Sequence, residues 1–580
     1  MNFVPKSEIR TSKFEIVIEI LLILLIIFTP IAFGSQVLWA FSLMELGILL
    51  IIILWAVQRL GYRPPVTIPR NDLESEIRTS KSEIPNPQSE ILCLQSEIRN
   101  PKSEIPLTIF LLSLFLGIVL LQMIPLPEGI IKIISPKTYE LRNQLTVSTP
   151  IADTAARIST HDSRLTTSEI RNPKSQIGNP QSELRISKSE IPNPPSQIRN
   201  PQSEIPNPKS EIRNPQSLIT TLSFFPLATK VEFLKWLALA GLFVFLLHWR
   251  LSDNGYRITH HLIIAIFLVG IFESLYGIFE FFSGHRHILN LDWSSQMSSV
   301  TGTFANRNCF AGYLLMVIPL SIGFLFSRET HRSGRLKDWR HRLSSLDGKT
   351  LLIGFGLILM ILALLLSASR GGIISLLISF SFIFLLFRDP TRGETFSRAP
   401  AVIFGLAVLW AAWIGLDAVI SRFFSAPEAF AAGRWTRWVG TLGILKDFPL
   451  LGSGLGTFTE VYSMYRTMHI VGLDIQTEND FLQLASEVGL VGTVPLLILF
   501  LFLFFKAASG IRSLSHGQPQ RYIGIGGLVG ILALMFHSIV QKNLQLPANA
   551  FLYTVMWAMV LRIAIDPGLK RIAGREAPED

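Results

Sequence analysis

The chain has 580 residues, of which 49% are apolar and only 16% charged, and 52 Lys and Arg against 42 Asp and Glu leave a formal net charge of +10. With a mean hydropathy of +0.42, and with the apolar residues gathered in blocks of about 17 to 25, each able to cross a hydrocarbon core, these proportions exclude a soluble enzyme. The two cysteines, Cys93 and Cys309, have no partnered spacing, which argues against a disulfide framework or a zinc or iron-sulfur site. In a membrane protein the basic excess reports topology before it reports nucleic acid.

Two spans, 14–33 and 37–57, are predicted within residues 1–67. The first starts too late and runs too far for a cleaved signal peptide. Residues 68–106 repeat a unit close to Ser-Glu-Ile-Arg-Asn-Pro-Lys, as in Ser96–Lys102. The third span, 107–124, and an outer turn reach residue 130, and an insertion over 131–217 carries the repeat again, as in Ser210–Gln216. One isoleucine per unit with a recurring proline sustains neither a helix nor an apolar seam, so both insertions are expected to be disordered, products of an expanded DNA element. Residues 218–417 hold spans at 231–249, 258–282, 309–327, 350–367, 371–387 and 400–417. An outer segment follows at 418–485, with apolar and aromatic residues at helical spacing, then spans 486–506, 521–541 and 547–565 within 486–567, and a tail at 568–580. The expected fold class is all-α: a polytopic integral membrane protein of about twelve transmembrane helices with a large helical extracytoplasmic loop.

Orientation follows from the short loops, where Lys and Arg mark the cytoplasmic face. Arg328, Arg332, Arg335, Lys337, Arg340, Arg342 and Lys349 crowd one loop, and Arg388, Arg392 and Arg398 another. Setting both inside also puts the basic stretches 59–63, 506–521 and 570–575 inside, with both termini. Loops 283–308, 368–370 and 418–485 then face outward, and chemistry is sought there.

The first outer patch, Thr301–Gly312, is a glycine- and asparagine-rich turn. Asn306 or Asn308 is placed to cap the following helix or to hold a polar ligand, and Arg307 is basic on the side where the topology rule disfavours it. The second patch, Ser367–Gly372, sets Arg370 at the outer membrane surface. A guanidinium there needs a partner unless it snorkels, and its planar fork suits two phosphate oxygens. The third carries Arg434, Trp435, Arg437 and Trp438, which also fit an interfacial helix, and then the turn Phe448–Phe458. Its Gly452–Gly456 run follows no strand and precedes no lysine, so it is not a nucleotide loop. The last patch is Thr477–Gly492, where Thr477 and Asp480 have the form of a capping box. The helix is therefore predicted to begin at Glu478, with Glu478, Leu482, Ala485, Gly489 and Gly492 on one face, and its N-terminus is a seat for a diphosphate.

These residues together resemble the O-antigen ligase and O-antigen polymerase superfamily of bacterial inner-membrane proteins. The resemblance spans 107–130 and 218–565 and rests on Gln122–Pro127, Thr301–Gly312, Ser369-Arg370-Gly371, Gly433-Arg434, Phe448–Gly456 and Glu478–Gly492. One position departs. Where ligases of the family show a histidine followed by a polar residue, nine residues and Gly-x-x-Gly, this chain keeps Asn479, Gly489 and Gly492 but has Glu478 for the histidine.

The resemblance implies transfer of a glycan from undecaprenyl diphosphate to an acceptor hydroxyl at the periplasmic face of the inner membrane. The acceptor class is lipid A core, a growing polysaccharide or a protein side chain. Arg370 and Arg434 are expected to stabilise charge on the leaving diphosphate and Glu478 to accept the hydroxyl proton. Asn479 is expected to orient a phosphate or sugar oxygen, Arg307, Asn306, Asn308 and Arg437 to bind substrate, and His469 to fold back and assist. The scheme inverts the anomeric centre and requires no metal or other cofactor. The partners expected are the lipid-linked donor, the acceptor and the bilayer, with no nucleic acid. A transporter of an anion or glycan is the rival from another class, although neither inverted repeats nor paired broken helices are visible in the sequence.

Overall fold

The computed structural model describes residues 13–61, 105–147, 220–249, 255–284, 287–289, 291–292, 299–329, 347–387, 434–466 and 476–565. The predicted span 400–417, the basic loop 388–398, the repeats, Gly433 and His469 lie outside the described residues. The chain divides into two compact units, one of residues 1–126 with 221–580 and one of residues 127–220.

The larger unit is a helical bundle whose chain order is α1 (Lys13–Ile31), α2 (Leu38–Gly61) and α3 (Ile105–Met123). In the smaller unit the start of the insertion is helical, against the expectation of disorder: before the repeats begin, residues 131–147 carry enough apolar side chains to form α4 (Glu128–Ile134) and α5 (Pro136–Val147), and Ser135 Oγ meets Thr138 Oγ1 at 2.7 Å where α5 begins. The larger unit continues with α6 (Pro226–His248), α7 (Gly255–Ser283), α8 (Arg307–Glu329), α9 (Gly348–Leu366) and α10 (Arg370–Phe387). Two short helices, α11 (Thr436–Asp447) and α12 (Phe458–Tyr465), precede α13 (Asp480–Arg512), α14 (Pro519–Ser538) and α15 (Pro547–Ile565). Among the described residues 9 helices are long and apolar enough to cross a membrane, and the apolar parts of α3 and α10 are shorter. Each coincides with a predicted span, so the all-α polytopic expectation is met.

The centre of the bundle is α8, whose spanning window is 100% buried. It lies against α14 through small residues: Gly323 faces Tyr522 O and Gly526 faces Pro319 O, and a Cβ at either would overlap the opposing backbone. Small residues that let two backbones approach supply packing where lipid offers no hydrophobic drive between helices. The two ends of the bundle differ in what their arginines do. At one end, Arg59 donates to His248 O (3.2 Å), Arg562 to Leu246 O (3.1 Å) and Trp249 O (2.8 Å), and Arg521 to Arg512 O (3.1 Å) and Leu514 O (2.7 Å). These carbonyls close α6 and α13 and would otherwise lack partners. At the other end lie the turns predicted to face outward.

One local expectation fails. The last long outer segment does not start its helix at Glu478 behind a Thr477 cap. Asn479 is the N-cap, its Oδ1 accepting from Leu482 N (3.0 Å), and α13 begins at Asp480. Thr477 is taken up elsewhere: its N–H donates to Gln483 Oε1 at 3.1 Å. Glu478 therefore stands outside the helix, in a left-handed conformation with φ +61°. The shared face proposed for Glu478 and Gly489 is also lost, because α13 breaks at Gly489 (φ +66°, ψ −175°).

That break explains the glycine-rich turn. The loop after Phe448 inserts into the gap: Ser453 N donates to Ser486 O (3.0 Å) and Gly454 N to Glu487 O (2.9 Å), while Leu490 N donates to Pro449 O (2.9 Å) and Val491 N to Leu450 O (3.1 Å). Backbone groups freed by a broken membrane helix are thus satisfied by protein and not exposed to lipid. Gln122, at the end of α3, locks the insertion by donating to Leu451 O (2.6 Å) and Glu487 O (2.9 Å) and accepting from Leu455 N (3.0 Å). Glu487 Oε2 accepts from Gly456 N at 2.9 Å, and Oε1 from Gln483 Nε2 at 3.1 Å.

Candidate functional site

The turn between α9 and α10 brings Arg370 to the end of the bundle away from Arg59, Arg521 and Arg562. Ser367 Oγ donates to Leu364 O (2.6 Å), Ala368 takes φ +52°, and α10 starts at Arg370 itself. Gly371 leaves room for the neighbouring α14: its Cβ would stand 3.0 Å from Val540 Cγ2 and 3.3 Å from His537 Cδ2. Ser369 Oγ and His537 Nε2 are 3.5 Å apart. The arginine is therefore presented by a turn packed directly on the end of α14.

Arg434 sits just before α11, its Nη2 donating to Gln541 Oε1 at 2.9 Å. Burial lowers the pKa of its guanidinium; the Glu478 carboxylate opposes that shift, and the cations Arg437 and Arg370 add to it. Four of the predicted residues, Arg370, Arg434, Arg437 and Glu478, thus share one electrostatic neighbourhood. Glu478 also acts on Cys309 in the first turn of α8, as do Lys542 and Asp480. Arg307 and Asn308 open that same turn, so the start of α8 belongs to the cluster.

The predicted binding residues divide into groups. Asn306 is the cap of α8, Oδ1 accepting from Asn308 N at 2.8 Å, and of the two asparagines it is Asn306 that caps. Asn479 is likewise engaged as the α13 cap. The Thr301–Phe304 turn is fixed from α7, where the buried Glu273 accepts from Thr303 N (2.9 Å) and Thr303 Oγ1 (2.7 Å). Among the described residues no group of three or more His, Cys, Asp or Glu is arranged to hold a metal ion.

The sequence reading missed the connection between α14 and α15. His537, Gln541, Lys542, Asn543 and Asn549 converge there. His537 Nδ1, Gln541 Nε2, Asn543 Oδ1 and Asn549 Oδ1 are buried polar atoms without hydrogen-bond partners in this structure. Groups of this kind carry a desolvation cost that a bound polar ligand can relieve. The available signal was a polar run, His537 to Gln545, closing an apolar span, with a lysine on the side where the topology rule disfavours it.

Beside the polar cluster an apolar cleft of about 200 Å³ runs between α3, α6, α13, α14 and α15. Trp236, Leu239, Phe500 and Trp557 line it, with Asp480 and Leu544 where it meets the cluster. Lys235 also faces it, its Nζ 2.5 Å from Glu232 Oε2. A ligand with a charged head and an apolar chain matches that pairing of surfaces.

Residues 355–497 match the family model described as O-antigen ligase (Wzy_C), a match that supports placement in the O-antigen ligase/polymerase superfamily. It covers part of α9, α10, the outer segment and the first half of α13, and therefore Arg370, Arg434, Arg437 and Glu478. No curated protein matches the chain. Glycan transfer of the ligase or polymerase type is the activity that this family implies.

Proposed function

We propose that this protein transfers a glycan from undecaprenyl diphosphate to an acceptor hydroxyl at the periplasmic face of a bacterial inner membrane, with both termini cytoplasmic. The observation that carries the reading is the grouping of Glu478, Arg437 and Arg370 near Arg434 at one end of the bundle, beside an apolar cleft. Cations gathered near a carboxylate, next to an apolar cleft, suit a lipid diphosphate leaving group and an acceptor that must lose a proton. The arginines that satisfy helix carbonyls at the opposite end support the orientation, since that end is the basic one.

In the proposed step, the acceptor oxygen attacks the anomeric carbon as the bond from that carbon to the phosphate oxygen breaks. The electron pair stays on the diphosphate, where Arg370 and Arg434 stabilise the developing charge. Gln541 holds the Arg434 fork in place through the 2.9 Å hydrogen bond, so its donors are set before the charge develops. Glu478 takes the hydroxyl proton, and direct displacement inverts the anomeric centre. The carboxylate at 478 does the work of the histidine that ligases of this family show there. Its φ of +61° is strain of the sort stored where a side chain must be aimed at a reacting group. Arg437, Arg307 and Asn308 contribute to the polar surface around the head group, and His469 is proposed to reach it from the outer segment.

The test is purified protein in lipid nanodiscs with an undecaprenyl diphosphate-linked oligosaccharide and three acceptors: lipid A core, a second oligosaccharide and a protein substrate. Transfer lost in both Arg370→Ala and Glu478→Gln supports the assignment. Loss in Arg370→Ala alone would keep the phosphate grip and move the base elsewhere. Movement of glycan across a sealed vesicle without transfer would replace the reading with transport.

A further inference from the structure

We propose that Lys542 is a further binding residue for the donor diphosphate, presented by a loop that Asp480 clamps onto the site; this rests on the glycan-transfer reading above. The loop joins α14 to α15 and is gripped from two other elements. Asp480, the first residue of α13, accepts through Oδ2 from Asn543 N (2.8 Å) and Leu544 N (2.9 Å). Cys309 of α8 donates its thiol to Lys542 O (3.5 Å), and Asn549 Nδ2 donates to Cys309 O (3.1 Å). Within the loop, Leu546 N donates to Asn543 O at 3.2 Å, and Asn543 Nδ2 to Ser538 Oγ at 3.2 Å. A backbone held this firmly fixes where consecutive side chains emerge.

Those side chains are Gln541, which orients Arg434, and Lys542, which is half-buried and whose charge reaches Cys309 together with Glu478 and Asp480. Among the described residues the Lys542 ammonium has neither an ion pair nor a hydrogen bond. A topology-setting lysine belongs at the other end of the bundle, and a snorkelling lysine needs no pinned backbone. The cation instead adds to the positive charge of this end of the bundle: it acts on Cys309 together with Glu478, and the preceding residue, Gln541, holds Arg434. Its three donors on a compact ammonium add a point charge to oxygens that the arginine forks leave unpaired. Asp480 acts through the loop and is a positioning residue, because its Oδ2 accepts from the Asn543 and Leu544 backbone groups.

The experiment measures binding of undecaprenyl diphosphate, without sugar, to the full-length protein in nanodiscs, alongside transfer from the glycan-loaded donor. Lys542→Met is expected to weaken diphosphate binding at least tenfold and undecaprenyl monophosphate binding less, with Lys542→Arg restoring binding to within threefold of wild type. Asp480→Asn is expected to weaken binding in the wild type but to add little in the Lys542→Met background. Lys542→Gln is the second variant should the methionine protein fail to fold. Wild-type binding of the diphosphate by Lys542→Met or Lys542→Gln overturns the proposal. If the wild type binds undecaprenyl diphosphate but modifies no acceptor, the transfer reading falls while Lys542 is still judged by the binding series. If the wild type binds no diphosphate lipid, both fall.

Discussion

Substituting Gly489 by alanine isolates what the break in α13 requires. At φ +66° and ψ −175° the residue occupies a region essentially reserved for glycine, and strain of that kind costs about 1–3 kcal/mol. The added methyl would also overlap Leu450 O, and the loop cannot retreat freely. Its withdrawal would unpair Ser486 O, Leu490 N and Val491 N, bonded now at 2.9–3.1 Å. A buried backbone group left unpaired costs about 1–3 kcal/mol, so strain plus two lost pairings gives at least about 3 kcal/mol, roughly a hundredfold in the folding equilibrium. The assay is equilibrium unfolding in detergent, with Gly354→Ala in α9 as the control, because a Cβ there meets nothing within 4 Å. The control is expected to be neutral or stabilising by up to about 1 kcal/mol. Equal midpoints for the two variants would refute the account of the break as a glycine-dependent splice.

Gln122→Leu removes the lock on the same splice, leaving Leu451 O, Glu487 O and Leu455 N without their side-chain partner. A loss of about 2 kcal/mol or more is expected in the same unfolding assay, and an unchanged midpoint would mean those groups pair elsewhere. Gln541→Leu frees Arg434 from its 2.9 Å hydrogen bond. With bonds to charged groups contributing about 1.5–3 kcal/mol, kcat/KM for transfer should fall at least tenfold; wild-type kinetics would show that Arg434 is aimed by something else. Glu478→Gly relieves a left-handed side chain and should stabilise the fold by roughly 0.5–1 kcal/mol while abolishing transfer. A destabilised Glu478→Gly protein would show that the carboxylate makes contacts worth more than its strain.

The spans were legible because each is an uninterrupted apolar block, and α1, α2, α6 and α7 begin and end within a few residues of where composition changes. The start of α13 was misread for a physical reason. Thr477, Asn479 and Asp480 are all competent cap residues, and the winner is decided by Gln483 and Thr441, which take up Thr477, and by Asn543 and Leu544, which take up Asp480. Gln483 lies in α13 itself, but Thr441, Asn543 and Leu544 are distant in sequence, and no local pattern contains them. Gly452, Gly454 and Gly489 could be seen as unusual but not as one device, since their shared purpose exists only once the 449–454 loop reaches the broken helix. Arg370 was found because a guanidinium at a membrane surface needs a partner, and Arg434 and Glu478 because they lie in stretches that resemble the family's. Gln541 and Asn543 carry no such mark, being ordinary polar residues beyond a helix end, and only their burial singles them out.

The arginines show how placement separates scaffold from site. Arg59, Arg521 and Arg562 donate to carbonyls where α6 and α13 end, the pole of a helix that favours a cation. Arg307 and Arg370 are the first residues of α8 and α10, and Arg434 lies two residues ahead of α11. At that pole the dipole repels a cation, at a cost of about 0.3–1 kcal/mol for each exposed case. Burial and the like charges Arg437 and Arg370 press further on Arg434, relieved in part by Glu478. An anion arriving among them would draw on the guanidinium forks and the free N–H groups at helix starts together. Arrangements that are unfavourable when empty and satisfied when an anion is present are hard to account for as scaffold, and here they occur at the end away from the arginines that hold helix ends closed.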